Sequence, residues 1–182
     1  MFDDVLFLVI GKSGSGKTYA CNELEKTGEY KQVWSRTTRK QRHDLERGHK
    51  FVSREQAENE ISNALAKTFY DQCVYYVLNQ DLKKCNLYVV DEAGADELYE
   101  KYTDKLIVSV YLDVKLINRV VNMRKRGDSV KQILKRLWVD KGKMHTKKNG
   151  LTFYDADTLI DFFTNATDEL DFLIDILYMI QE

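Results

Sequence analysis

At 182 residues the chain has the length of one domain and can bury a core without disulfide or metal staples. Hydrophobic content of 43%, charged content of 31% and a net charge of −1 are those of a soluble globular protein; they offer no broad surface for nucleic acid or a membrane. Cys21, Cys73 and Cys85 are odd in number and lack CxxC spacing, so they read as reduced thiols of a cytoplasmic chain rather than a disulfide framework.

The apolar run Val5-Leu6-Phe7-Leu8-Val9-Ile10 ends in a glycine, as a strand buried on both faces of a parallel sheet would. A helix is predicted over 16–26, then a strand over 32–35 and a helix over 54–66. Further strands are predicted over 86–91, 106–112 and 151–154, with helices over 94–102, 114–124, 129–141 and 169–180. Alternating strands and helices predict an α/β fold of the P-loop NTPase type, a parallel sheet sandwiched by helices. Two stretches break the alternation: 35–78, and a basic stretch over 124–149. The expected organisation is a core of 1–34, 79–123 and 150–182 with these two segments inserted at its ligand-binding edge.

Gly11-Lys12-Ser13-Gly14-Ser15-Gly16-Lys17-Thr18 fits G-x-x-x-x-G-K-[ST]. Glycines let successive backbone N–H groups curl toward phosphate oxygens, and the following helix aims its positive end at the same point. Lys17 supplies a positive charge to the β- and γ-phosphates, and the Thr18 hydroxyl can ligate Mg²⁺. Gly11, Ser13, Gly14, Ser15, Gly16, Lys17 and Thr18 are therefore the expected ATP ligands.

Asn86-Leu87-Tyr88-Val89-Val90-Asp91 is a second buried-strand pattern, ending in an acid that can bind Mg²⁺ directly or through water. Glu92 follows it, and a strand ending in Asp-Glu also fits a small P-loop ATPase with Glu92 as the base for water.

At the end of the strand predicted over 32–35 comes Ser35-Arg36-Thr37-Thr38-Arg39-Lys40-Gln41-Arg42. Arg39 and Arg42 are three apart, and their forked guanidinium groups suit a phosphate. Gly48-His49-Lys50-Phe51-Val52-Ser53-Arg54-Glu55 follows, then Tyr75-Tyr76, Asp91 with Gly94, Lys125-Arg126-Gly127 and Lys135-Arg136-Leu137. In this order the sequence resembles the guanylate kinase family over most of its length. The resemblance implies that 35–78 is a monophosphate-binding insertion and 124–149 a lid. It implies Ser35, Arg39, Arg42 and Tyr76 as ligands of the acceptor phosphate, with His49 where the family has a tyrosine. Asp91 becomes the acid near acceptor and Mg²⁺, and Arg126 and Arg136 the lid arginines that close over ATP. A glutamate that reads guanine in the family aligns near Lys67, and a base-contacting serine near Leu78. Lysine accepts no hydrogen bond, so the acceptor base is left open.

The expected activity is ATP-dependent, Mg²⁺-assisted phosphorylation of GMP, dGMP or a related monophosphate, with Lys17, Asp91, Arg126 and Arg136 in the catalytic roles. Its partners are small-molecule nucleotides, not nucleic acid or membrane, and the protein is expected as a monomer or homodimer. The alternatives are a guanylate-kinase-like binding module without catalysis, or the ATPase based on Asp91 and Glu92.

Overall fold

The computed structural model describes residues 2–41, 44, 46–141, 150–165, 172 and 176. Its first half runs β1 (Val5–Gly11), α1 (Lys17–Lys26), β2 (Ser35–Thr37), β3 (His49–Phe51), α2 (Arg54–Glu60), a 3-10 turn Ile61–Asn63, β4 (Ala66–Tyr70) and β5 (Cys73–Val77). There follow α3 (Asn79–Leu82), β6 (Leu87–Val89), α4 (Glu92–Lys101), β7 (Leu106–Leu112), α5 (Leu116–Lys125), α6 (Val130–Lys141), β8 (Gly150–Phe153) and α7 (Ala156–Thr164).

β1 organises the molecule because both of its faces are apolar. Val5, Phe7 and Val9 enter one core with Ala20, Cys21 and Leu24 of α1 and Leu159 and Phe163 of α7. Leu6, Leu8 and Ile10 enter the other, with Ala95 and Leu98 of α4. Each such side chain contributes about 1.5–3 kcal/mol on burial, so the strand is fixed in the middle of the sheet. That sheet has four parallel strands in the order β6-β1-β7-β8. Helices lie on both faces, and this is a P-loop NTPase-type α/β fold.

A second four-stranded sheet, β3-β2-β5-β4, is built wholly from residues between Ser35 and Val77. β5 pairs antiparallel with both β2 and β4, while β2 and β3 run parallel. Ala57 of α2 packs with Val74 and Tyr76 on one side of it. Below lies a charge cluster. Arg36 donates to Asp81 at 2.9 Å and to Glu60 at 3.0 Å, and Lys50 donates to Asp81 at 2.6 Å.

Two expected elements change. The helix expected over 54–66 stops at Glu60, because Ala66 is drawn into β4 opposite Val77 and packs in the second core. Of the strand expected over 32–35, Gln32 only bridges to Leu87, and Ser35 already belongs to the second sheet. α7 was not anticipated; the Asp155 carboxylate caps it by accepting the Thr158 N–H at 2.8 Å, and Leu159 and Phe163 bury its inner face. Of the helix expected over 169–180, only Phe172 and Ile176 are among the described residues; both are buried in the first core. Among the described residues no helix is long and apolar enough to cross a membrane.

Candidate nucleotide site

β1 delivers the chain to the loop at Gly11, and α1 leaves it at Lys17. Gly14 and Gly16 adopt φ of 79° and 96°, the left-handed region open to glycine. At Gly14 a Cβ would also stand 2.5 Å from the carbonyl oxygen of Arg119. The N-cap of α1 is Gly16, with no side-chain cap and no acid in the first turn. Gly16 thus brings no side-chain acceptor to the start of this ten-residue helix. Lys17 Nζ bends back onto its own loop, donating to the carbonyls of Gly11 at 2.5 Å and Lys12 at 3.2 Å. Ser15 Oγ is buried and has no hydrogen-bond partner among the described residues. This set of donors fits an anion rich in oxygen acceptors, as a polyphosphate is.

Two large cavities flank the loop. The larger, of about 630 Å³, lies between the loop, the end of β6 and the second sheet; Ser35, His49, Thr68, Tyr75 and Asp91 line it. The smaller, of about 580 Å³, runs past the start of α1, α5 and the β8–α7 connection, and is lined by Gly16, Thr18, Asn122, Arg126 and Asp155. Ser13, Lys17 and Arg136 line both.

The residues singled out by sequence divide between these surroundings. Ser35 and His49 are register partners on β2 and β3, and Ser35 Oγ lies 2.9 Å from His49 Nδ1. Tyr76 is elsewhere. It alternates with Tyr75 along β5, so it turns into the small core under α2, where its hydroxyl donates to Glu60 at 2.7 Å. Tyr75 takes the cavity side, its ring 5.5 Å from that of His49. Arg39 does not line the larger cavity: its guanidinium donates to Glu46 at 2.6 Å and stacks over Phe51. Arg42 lies outside the described residues.

The same alternation bears on the base-reading positions. Lys67 borders the cavity but pairs with Tyr76, and directly paired residues of antiparallel strands point to one side. Its side chain therefore stands on the α2 side, and Leu78 packs against the same small core. Thr68, paired with Tyr75, is turned to the cavity.

Asp91 caps α4, accepting the Gly94 N–H at 2.9 Å and the Thr68 hydroxyl at 3.0 Å. It faces the larger cavity, as does Glu92, whereas Thr18 faces the smaller. Among the described residues no three or more His, Cys, Asp or Glu side chains gather to hold a metal. A hydroxyl and a carboxylate beside phosphate oxygens is nonetheless the donor set that suits Mg²⁺, which keeps several waters.

Arg126 and Arg136 share one carboxylate, Asp128, at 3.2 and 3.3 Å. Two further groups were not anticipated. Arg119 of α5 donates to the Ser13 carbonyl at 2.8 Å and pairs with Asp140 of α6, which accepts the Ser13 N–H at 3.0 Å. Burial pulls the Arg119 pKa below its ordinary value, against the pull of Asp140. Its signal was periodicity: Arg119 and Met123 are the buried positions of α5, four apart on one stripe.

The sequence profile of a family described as AAA domain matches residues 8–148. No curated protein sequence matches this one. A guanylate kinase from Anaplasma phagocytophilum aligns over 88% of this chain and 82% of its own, at 19% identity and a TM-score of 0.58. An uncharacterized protein from Eubacterium ventriosum aligns over 88% of this chain and 96% of its own, at 13% identity and a TM-score of 0.48. A sugar kinase from Janibacter sp. aligns over 94% and 97%, at 16% identity and a TM-score of 0.47. The first of these shares the fold; the other two are too distant to bear on the argument. Because the profile runs from within β1 across the phosphate loop to beyond α6, the chain belongs to the AAA-domain family, with a P-loop NTPase-type α/β fold.

Proposed function

We propose that the protein is an ATP-dependent nucleoside monophosphate kinase, acting on GMP, dGMP or a related monophosphate. The observation that carries this reading is the common wall of the two cavities. Ser13, Lys17 and Arg136 belong to both, as transfer between a donor on one side and an acceptor on the other requires.

On this reading ATP occupies the smaller cavity, its phosphates held by the loop N–H groups, Lys17 and Arg126. Thr18 and Asp91 would hold Mg²⁺, which when bound would draw charge from the phosphate oxygens. The larger cavity takes the monophosphate, with Ser35, His49 and Tyr75 offering hydroxyl and ring N–H groups to it; Arg39, and Arg42 outside the described residues, are the further phosphate ligands of this reading. The segment 35–78 serves as the acceptor-binding insertion and 124–149 as the lid. Transfer forms a P–O bond to the acceptor's phosphate oxygen and breaks the bond to the ADP oxygen, which leaves with the electron pair. A phosphate oxygen is ionised at neutral pH, so no general base is required. Lys17 and Arg136 neutralise the charge that spreads over the moving group.

A second reading is favoured by Glu92, which lines the same cavity and could orient water for a small ATPase. Coupled ADP release with MgATP separates the two, using GMP, dGMP, AMP, CMP, UMP and dTMP and a control without acceptor. Release that depends on a monophosphate supports the kinase and names the acceptor. Release without acceptor that disappears in Glu92→Gln supports the ATPase. Binding of ATP with no turnover under any condition points to a binding module.

A further inference from the structure

We propose that Asp140 is a positioning residue: through Ser13 and Arg119 it joins α6 to the phosphate loop, and so sets where Arg136 stands. For its catalytic consequence this rests on the kinase reading; its structural content does not.

α6 crosses the larger cavity like a beam. Arg136, Val139 and Asp140 line that cavity, and their spacing places them on one face of the helix. At one side the beam meets the turn between β4 and β5, where Lys135 donates to Asp71 at 2.8 Å; both side chains are more than half exposed. Water and salt screen such a pair, so it fixes little.

At Asp140 the contact is of another kind. One carboxylate oxygen accepts the Ser13 N–H at 3.0 Å, the other the Ser13 hydroxyl at 3.3 Å, and Arg119 donates to the first. Arg119 in turn donates to the Ser13 carbonyl at 2.8 Å, and Asn122 to that of Gly14 at 3.0 Å. The bonds form a closed ring, from the Ser13 N–H through Asp140 and Arg119 back to the Ser13 C=O. The side chains of Asp140 and Arg119 are 10% and 7% exposed, so water competes poorly for these bonds. The pair is neutral as a whole and adds no net charge beside a site built for anions. Arg136 precedes Asp140 by four residues, about one helical turn of 5.4 Å. Any shift of α6 against Ser13 is therefore passed to Arg136 at the junction of the cavities.

Hydrogen exchange and kinetics test this on the full chain. In Asp140→Ala, amides of α6 should exchange at least about tenfold faster, with β1 and β7 unchanged. The kcat should fall by about 10- to 100-fold with each KM within about threefold. Adding Arg136→Ala should then cost little more, because both changes remove the same group from the transition state. If Asp140→Ala does not fold, Asp140→Leu with Arg119→Met removes the Ser13 bonds without stranding a buried charge and should free α6 equally. Asp140→Asn with Arg119→Gln keeps an acceptor on the Ser13 N–H and should restore α6 protection. Unchanged α6 exchange, acceleration of α6 and the central strands alike, or fully additive losses would each overturn the proposal. Absence of acceptor-dependent turnover in the unaltered protein would reject the kinase reading alone, leaving exchange to decide the role of Asp140.

Discussion

Tyr75 and Tyr76, neighbours on β5, send their rings to opposite sides of the second sheet. Tyr75 stands 5.5 Å from the His49 ring beside the larger cavity, and Tyr76 is buried with its hydroxyl on Glu60 at 2.7 Å. The two should separate binding from stability. Tyr75→Ala is expected to raise the acceptor KM by about tenfold, the loss of one good contact. Tyr76→Phe should leave KM unchanged and lower unfolding stability by about 1–2 kcal/mol, since Glu60 loses a buried donor. Initial-rate kinetics and chemical denaturation of both variants check the pair of outcomes.

Lys17 donates to its own loop carbonyls, so its charge is already aimed where phosphate would lie. Lys17→Met should lower kcat by a hundredfold or more, the order found when one preorganised charge-stabilising donor is removed. Its melting temperature should fall by no more than about 8 °C, because two part-buried hydrogen bonds contribute about 1 kcal/mol each. A collapse in stability would mean that Lys17 holds the loop together instead.

Gly14→Ala should weaken nucleotide binding by about ten- to a hundredfold. The new methyl would stand 2.5 Å from the Arg119 carbonyl, at a φ of 79° that L-residues rarely adopt. Loop and α5 must then part, and strain of about 1–3 kcal/mol falls on the segment that binds phosphate. Calorimetric titration with MgATP measures it, and retained affinity would show that the loop can shift off α5.

Asp81 makes stability depend on pH. Burial alone would raise its carboxyl, but hydrogen bonds from Arg36, Lys50 and the Leu78 N–H outweigh burial and hold it below its ordinary 3.8. A carboxyl depressed in the folded state stabilises fully above its unfolded value and loses that contribution as pH falls through the folded one. Stability should therefore be flat with respect to this group above about pH 5 and decline progressively below 3.8. Asp81→Asn should cost about 3–5 kcal/mol at neutral pH, by leaving Arg36 and Lys50 short of a partner, and should flatten the acid limb. Denaturant melts of both proteins between pH 3 and 7 decide it; parallel acid limbs would assign the dependence to another carboxyl.

The parts of the fold visible in the sequence are those with one dominant local cause. The apolar run of β1, the glycine pattern after it and the span of β7 each announce themselves, and all three match the structure. β4 and β5 do not, because their turn, Asp71-Gln72, holds both residues at positive φ (50° and 63°) without a glycine or asparagine to signal it. That missed hairpin hid the alternation that separates Tyr75 from Tyr76 and turns Lys67 away from the cavity. Asp140 was invisible for a different reason: it meets Ser13 across 127 positions of chain, a pairing no local pattern contains.

The wall formed by Ser13, Lys17 and Arg136 has a consequence for ligand design. If both cavities bind nucleosides, a molecule carrying one at each end of a polyphosphate tether can occupy both at once. Docking of the first end holds the second at an effective concentration of about millimolar, provided the tether matches the span. Affinity as a function of the number of linking phosphates would then act as a ruler across the wall, with its peak at the separation of the two sites.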